Sequence, residues 1–133
     1  MLQVTCAIIQ KGNEVLICQR SDKMLLPLKW EFPGGKIEEG ESKKECLKRE
    51  IKEELNLEID IKQALEEVKY EYIEFSICLY PFLCNITSGK LDPTEHAQVK
   101  WECIDNLMEY DWAEADIPIV KELIKLNATD KVQ

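Results

Sequence analysis

A mixed β-sheet sandwiched between helices, an α/β (α+β) architecture, is the fold class this chain predicts, and three observations predict it. Short runs of β-branched and aliphatic residues, separated by turn residues, occupy most of the length. One amphipathic helix is signalled early among them, after Ser42, and a second near the end, after Asp116. With 133 residues there is room for one core and not two, so residues 1–133 are read as a single domain.

Val4 to Gln10 and Glu14 to Gln19 are rich in aliphatic residues and flank Lys11, Gly12 and Asn13, which predicts a hairpin. Arg20 to Leu28 is a polar loop ending near Pro27, and Trp30 to Pro33 leads into a turn at Gly34 and Gly35. Ser42, with Glu45 three residues later, forms the capping box of a helix that runs to about Leu55 and carries Leu47, Ile51 and Leu55 as its buried stripe. Ile59 to Glu74 and Phe75 to Asn85 read as strands, Thr87 to Thr94 as a loop, and Gln98 to Cys103 as a further strand. Asp116, followed by Pro118 in the first turn, is placed to cap the last helix.

Composition removes several classes of function. The chain is 45% hydrophobic and 32% charged, ordinary for a folded soluble domain. No run is long enough to span a bilayer, and MLQVTCAIIQ lacks the parts of a signal peptide, so a cytoplasmic location is expected. The six cysteines include no CxxC pair and mostly sit within apolar stretches, where they read as reduced core residues. A net charge of −9 opposes binding of nucleic acid polymers, which needs clustered Lys and Arg. A small polyanion remains compatible with that charge if metal ions bridge it to carboxylates.

Such carboxylates are present. Glu50, Glu53 and Glu54 stand at i, i+3 and i+4, so on a helix they share one face and repel one another. That arrangement asks for a hard divalent cation with oxygen ligands, Mg2+ or alternatively Mn2+, whose shell phosphate would complete.

The stretch GKIEEGESKKECLKREIKEELNL resembles the Nudix box, Gx5Ex7REUxEExGU with U aliphatic. Gly35, Glu41, Arg49, Glu50, Ile51, Glu53, Glu54 and Leu57 fall on it in register, eight of the nine specified positions, and only the second glycine is replaced, by Asn56. Asn is the next most tolerant residue for the left-handed conformation expected there, so the departure should cost little stability and no chemistry. WEFPGGK and the ADIP segment extend the resemblance to MutT-type nucleoside triphosphate pyrophosphohydrolases over roughly residues 2–126.

The resemblance implies the Nudix fold and Mg2+-dependent hydrolysis of a nucleoside triphosphate to the monophosphate and pyrophosphate. It implies that Glu50, Glu53, Glu54 and the Gly35 carbonyl hold metal, with Glu53 first and Glu95 second as the group that activates water. In place of a glutamate found in relatives before the strand tryptophan, this chain has Lys100 before Trp101. Arg49 would pair with a box glutamate, Glu41 would support the loop, and Arg20 and Lys36 could meet phosphate oxygens. Phe32 and Tyr72 would flank the base, and Asp116 stands where relatives carry a base-reading asparagine. An ionised Asp116 would accept hydrogen bonds from the N4 amino group of cytosine, or from N1 and N2 of guanine. His96, the one histidine, reads as an exposed loop residue without a role.

The substrate expected first is 8-oxo-dGTP, in nucleotide-pool sanitation, with CTP or dCTP as the alternative of the same type. A non-catalytic Nudix module that senses a nucleotide is the competing class; such modules commonly lose box glutamates, and this chain has them all. The partner expected is the nucleotide itself, with the chain a monomer or a homodimer.

Overall fold

The computed structural model describes residues 1–132, with side chains through residue 129. Its strands are β1 (Leu2–Lys11), β2 (Glu14–Gln19), β3 (Trp30–Glu31), β4 (Gly34–Lys36), β5 (Leu57–Ala64), β6 (Val68–Glu71), β7 (Ser76–Gly89) and β8 (Gln98–Cys103). Helix α1 spans Lys43–Leu55 and α2 spans Ile117–Val132, and short 3-10 segments at Ile104–Glu109 and Glu114–Asp116 connect β8 to α2.

β1 and β2 are paired only beside their turn, at Gln10↔Val15 and Lys11↔Glu14, and then splay apart. Beyond the split, β1 runs antiparallel to β4 and parallel to β7, while β2 lies between β3 and β8. The segment from Trp30 to Lys36 crosses from one half of the sheet to the other, with Ala7 N donating to the Pro33 carbonyl. This crossing delivers Glu31, Phe32 and Gly35 to the mouth of the wedge.

The continuous apolar character of β1 and β2 follows from burial on both faces. Cys6, Ile8, Val15 and Ile17 pack with Ile119, Val120 and Leu123 of α2, whereas Ala7, Ile9 and Leu16 pack with Leu47, Ile51 and Leu55 of α1. Side chains alternate across a strand, so one sequence run serves two cores. The sandwich expected from sequence is therefore the architecture observed.

Helix α1 begins with the expected capping box: Ser42 Oγ accepts from Glu45 N, and the Glu45 carboxylate accepts from Ser42 N. It ends at Asn56 in the left-handed region (φ 60°), with Asn56 N donating to the Lys52 carbonyl and its amide to the Lys90 carbonyl.

Three expectations are corrected here. Ile59 to Glu74 is not one strand: β5 and β6 are separated opposite Tyr80 and Pro81 of β7, where proline has no N–H for a ladder, and Leu65 N donates to the Pro81 carbonyl. Asp116 does not cap α2. It ends a 3-10 turn that runs on into the helix, and its Oδ2 accepts instead from Phe32 N at 2.9 Å. β7 also extends to Gly89, beyond the expected loop boundary.

Candidate active site

The glutamates of α1 are organised by Arg49. Its Nε and Nη2 grip both oxygens of Glu41, at 2.6 and 2.9 Å, and Nη1 donates to Glu50 Oε1 at 2.8 Å and Glu53 Oε2 at 3.2 Å. Nη2 also reaches the Lys36 carbonyl of β4 at 3.3 Å. A planar fork with several donors suits this work, and the bonds to Glu41 and Glu50 hold the guanidinium protonated well above its ordinary range. Glu41 also accepts from Glu38 N, so it supports the loop as expected and the pairing with Arg49 is added to it.

The Arg49 hydrogen bonds, with help from Glu38 N, lower the Glu41 pKa from 4.5 to about 2. A depressed folded-state pKa contributes stability above the unfolded value, and that contribution is lost as pH falls from 4.5 towards 2. Urea denaturation of Glu41→Gln at a series of pH values is therefore expected to show a deficit against the parent chain that is full above pH 4.5 and vanishes near pH 2. A deficit unchanged down to pH 2 would mean that the ion pair contributes nothing.

Glu50 and Glu54 sit deeper than Glu53, which is 59% exposed. Burial first, then the charges of Glu50 and Glu31, push Glu54 up to about 8, and its Oε2 is buried with no hydrogen-bond partner. A carboxylate oxygen left so is costly unless a cation takes it. A Cβ on Gly35 would overlap the Glu50 carboxyl carbon and stand 2.6 Å from its Oε1, so only glycine lets this carboxylate lie against the β4 backbone. The donor set is all oxygen, and with the orphaned Glu54 oxygen it fits a hard divalent cation. Among the described residues no three His, Cys, Asp or Glu side chains already form a closed cluster for a metal. A cation here would complete its shell with the Gly35 carbonyl, water and substrate oxygens.

Beside this group lies a cavity of about 400 Å3, within the range of small-ligand sites. Gly35, Lys36, Glu54 and Glu95 line it together with Phe32, Tyr72 and Asp116. Arg20 and Glu31 lie on its wall. The fold thus brings residues expected at the phosphates and residues expected at the base into one space, while Glu50 lies against Gly35 and Arg49 holds Glu50 and Glu53.

Individual placements differ from the simplest expectation. The Arg20 guanidinium is engaged, with Nη1 on Glu31 Oε1 at 2.7 Å and Nε on the Leu25 carbonyl at 2.6 Å. Lys36 is exposed. Phe32 is buried and stacks on Trp112 (4.9 Å between centroids, 30°), while Tyr72 stacks on Phe75 and its hydroxyl accepts from Ala115 N. Lys100 lies over the rings of Tyr110 and Trp30.

The surroundings of Asp116 disfavour the ionised form expected for it. Burial, reinforced by the Glu31 charge, pushes its carboxyl well above the usual carboxylate range, and the Phe32 N–H and Arg20 only partly oppose this. A neutral carboxyl with Oδ2 accepting from Phe32 N keeps an O–H donor as well as acceptor capacity, as an amide would.

The loop after β7 is tied to the C-terminal carbonyls of α1: Asp92 N donates to the Leu55 carbonyl and Thr94 N to that of Glu54, while Ala97 N donates to Gln19 O. This sets Glu95 beside Glu54. It also corrects the reading of His96, whose side chain is 4% exposed and whose Nε2 lies 3.0 Å from Glu31 Oε2. Sequence reasoning assigned no role to Glu31 or His96; they are 65 residues apart and carry no local pattern that would have paired them.

Comparison with known proteins agrees with this geometry. The family model described as the NUDIX domain matches residues 1–123. The chain is 31% identical over 128 residues to the CTP pyrophosphohydrolase of Escherichia coli K12, covering 96% of this chain and 95% of that one. It is 35% identical to the 8-oxo-dGTP diphosphatase of Buchnera aphidicola subsp. Schizaphis graminum, covering 92% and 93% of the two chains. The solution structure of a MutT protein from methicillin-resistant Staphylococcus aureus superposes with a TM-score of 0.76 at 38% identity, over 93% of this chain and 95% of that one.

Proposed function

The chain belongs to the NUDIX family, as a MutT-type Nudix hydrolase of nucleotides, and from that premise we propose that it cleaves a nucleoside triphosphate, with Mg2+, to the monophosphate and pyrophosphate, 8-oxo-dGTP first among substrates. One observation carries the reading: a single cavity is lined both by Glu54, whose buried oxygen has no partner, and by a buried hydrogen-bonding acid beside aromatic rings. A nucleotide has the matching polarity, charge at one end and a flat base with polar edges at the other.

Nudix hydrolases work with divalent cations. Here Glu50, Glu53, Glu54 and the Gly35 carbonyl would hold the ion, which supplies neutralisation of phosphate charge and acidification of water. Arg49 fixes the rotamers of Glu50 and Glu53, so the carboxylates need not reorganise as substrate binds. Glu53, more exposed than Glu50 and hydrogen-bonded to Arg49, orients water and takes its proton; Glu95, held beside Glu54 by the tethered loop, is the alternative base. Lys36 offers a mobile positive charge to phosphate oxygens.

A second reading, CTP or dCTP, is supported by the similarity to a CTP pyrophosphohydrolase, and Asp116 suits it equally. Its neutral form pairs one donor and one acceptor with N3 and N4 of cytosine as well as with O6 and N1 of 8-oxoguanine. No helix among the described residues is long and apolar enough to cross a membrane, and the six free cysteines support action in the reducing cytoplasm.

Pyrophosphate release from 8-oxo-dGTP, dGTP, CTP, dCTP and ADP-ribose tests both readings. At least one triphosphate is expected to be hydrolysed and ADP-ribose to be inert. Asp116→Ala is expected to reduce discrimination between the preferred base and its competitors by roughly tenfold or more. Inert triphosphates would leave the non-catalytic nucleotide sensor as the better account.

A further inference from the structure

Glu31 and His96 line the cavity, yet the mechanism above gives them nothing to do. His96 belongs to a segment whose other residues from 92 to 98 are exposed, but its own side chain is 4% exposed. The segment does not need an inserted histidine to stay in place, since the backbone bonds from Asp92, Thr94 and Ala97 already anchor it. Burying an imidazole is unfavourable unless its nitrogens are bonded. Nε2 meets Glu31 Oε2 at 3.0 Å, while Nδ1 is buried with no hydrogen-bond partner, so the ring sits there for the sake of one contact.

That contact is half of a grip. Glu31 Oε1 takes Arg20 Nη1 at 2.7 Å, and Arg20 is steadied in turn by its bond to the Leu25 carbonyl. The two donors come from different elements, Arg20 from the end of β2 and His96 from the loop before β8. Each bonded oxygen of a carboxylate keeps a second lone pair. Glu31 faces the cavity between Glu54 and Asp116, and its charge acts on both of them. A carboxylate in this position suits a ligand group that donates a hydrogen.

We propose that His96 is a positioning residue for substrate recognition: with Arg20 it holds the Glu31 carboxylate so that its free lone pairs accept a hydrogen bond from the nucleoside, from a base amino group or a sugar hydroxyl. The inference rests on the nucleotide reading above and adds to the site a positioning residue that acts through Glu31 on the cavity wall. Glu31 touches the substrate, and His96 acts through Glu31.

The test compares the parent chain with His96→Leu, His96→Asn and His96→Gln. A glutamine amide can reach the place of the imidazole Nε2, whereas asparagine is too short and leucine has no donor. Binding of CMP, dCMP and 8-oxo-dGMP by calorimetry, and hydrolysis of the matching triphosphates, are measured with the thermal midpoint of each variant. For the preferred nucleotide, His96→Leu and His96→Asn are expected to weaken monophosphate binding and raise KM by roughly tenfold, with kcat changed less than about threefold. His96→Gln is expected to recover binding to within about threefold. If the CMP to dCMP preference collapses with binding, the donor is the 2′-hydroxyl; if it survives, the donor lies elsewhere on the nucleoside.

Leucine and asparagine variants that bind as the parent does would overturn the proposal. So would a glutamine variant as impaired as the other two, because the histidine would then serve packing alone. Those failures leave the nucleotide reading standing, provided the parent chain hydrolyses a triphosphate. A parent chain that binds and hydrolyses none of these nucleotides removes both.

Discussion

Glu53→Gln is expected to lower kcat for pyrophosphate release by about 10^3-fold while the thermal midpoint moves by no more than about 3 °C. The two halves of this expectation come from the same geometry. Glu53 is 59% exposed and its hydrogen bond is to Arg49 at 3.2 Å, the longest of that guanidinium's bonds to carboxylates. An exposed pair of this kind contributes little to folding. Glutamine keeps the shape and removes both the negative charge and the capacity to take a proton, so the loss falls on the chemical step. Glu95→Gln is the necessary companion. A larger loss at Glu95 than at Glu53 would move the base to the loop and leave Glu53 as a cation ligand only.

The second large effect separates two adjacent glycines. Gly34→Ala is expected to destabilise the fold by about 3 kcal/mol or more, a fall of roughly 10 °C in the thermal midpoint. Its new Cβ would overlap the Thr5 carbonyl oxygen and stand 2.7 Å from Cys6 Cα, and these are backbone atoms of β1, the strand shared by both cores. They cannot yield without disturbing the parallel pairing of β1 with β7. Gly35→Ala meets something different, the end of the Glu50 side chain. That carboxylate can swing away, so the fold is expected to survive with a midpoint within a few degrees of the parent. Swinging breaks the 2.8 Å bond to Arg49 and removes Glu50 from beside the Gly35 carbonyl, and activity is expected to fall by about 10^2-fold or more. Unfolding curves and pyrophosphate release on both variants check the contrast. A Gly35 variant less stable than the Gly34 variant would show that the Glu50 cradle, and not the β1–β4 crossing, is the tighter constraint.

What was legible beforehand was whatever depends on near neighbours in the chain. The capping box at Ser42 and Glu45, the buried stripe of Leu47, Ile51 and Leu55, the left-handed Asn56 and the shared face of Glu50, Glu53 and Glu54 all follow from separations of three to five residues on one helix. The long strand expected over residues 59–74 failed because its break is dictated by Pro81, on a different strand that it had to pair with first. Asp116 was expected to cap α2, since an acidic residue before Pro118 carries that signal. Its Oδ2 accepts instead from Phe32 N, 84 residues away, and the burial that comes with this contact is what pushes its pKa up.

By itself, then, the sequence determined the sandwich of helices and sheet and the carboxylate helix, because helical and strand periodicity and like-charge repulsion act over a few residues, while the class of chemistry was implied by the resemblance of residues 35–57 to the Nudix box. Only the tertiary structure decided that Asp116 is buried with its pKa pushed up, that Arg20 is turned onto Glu31, and that His96 is inserted against it. Those states depend on desolvation and on partners tens of residues distant, which exist only once β2, β3 and the loop before β8 have closed around one cavity.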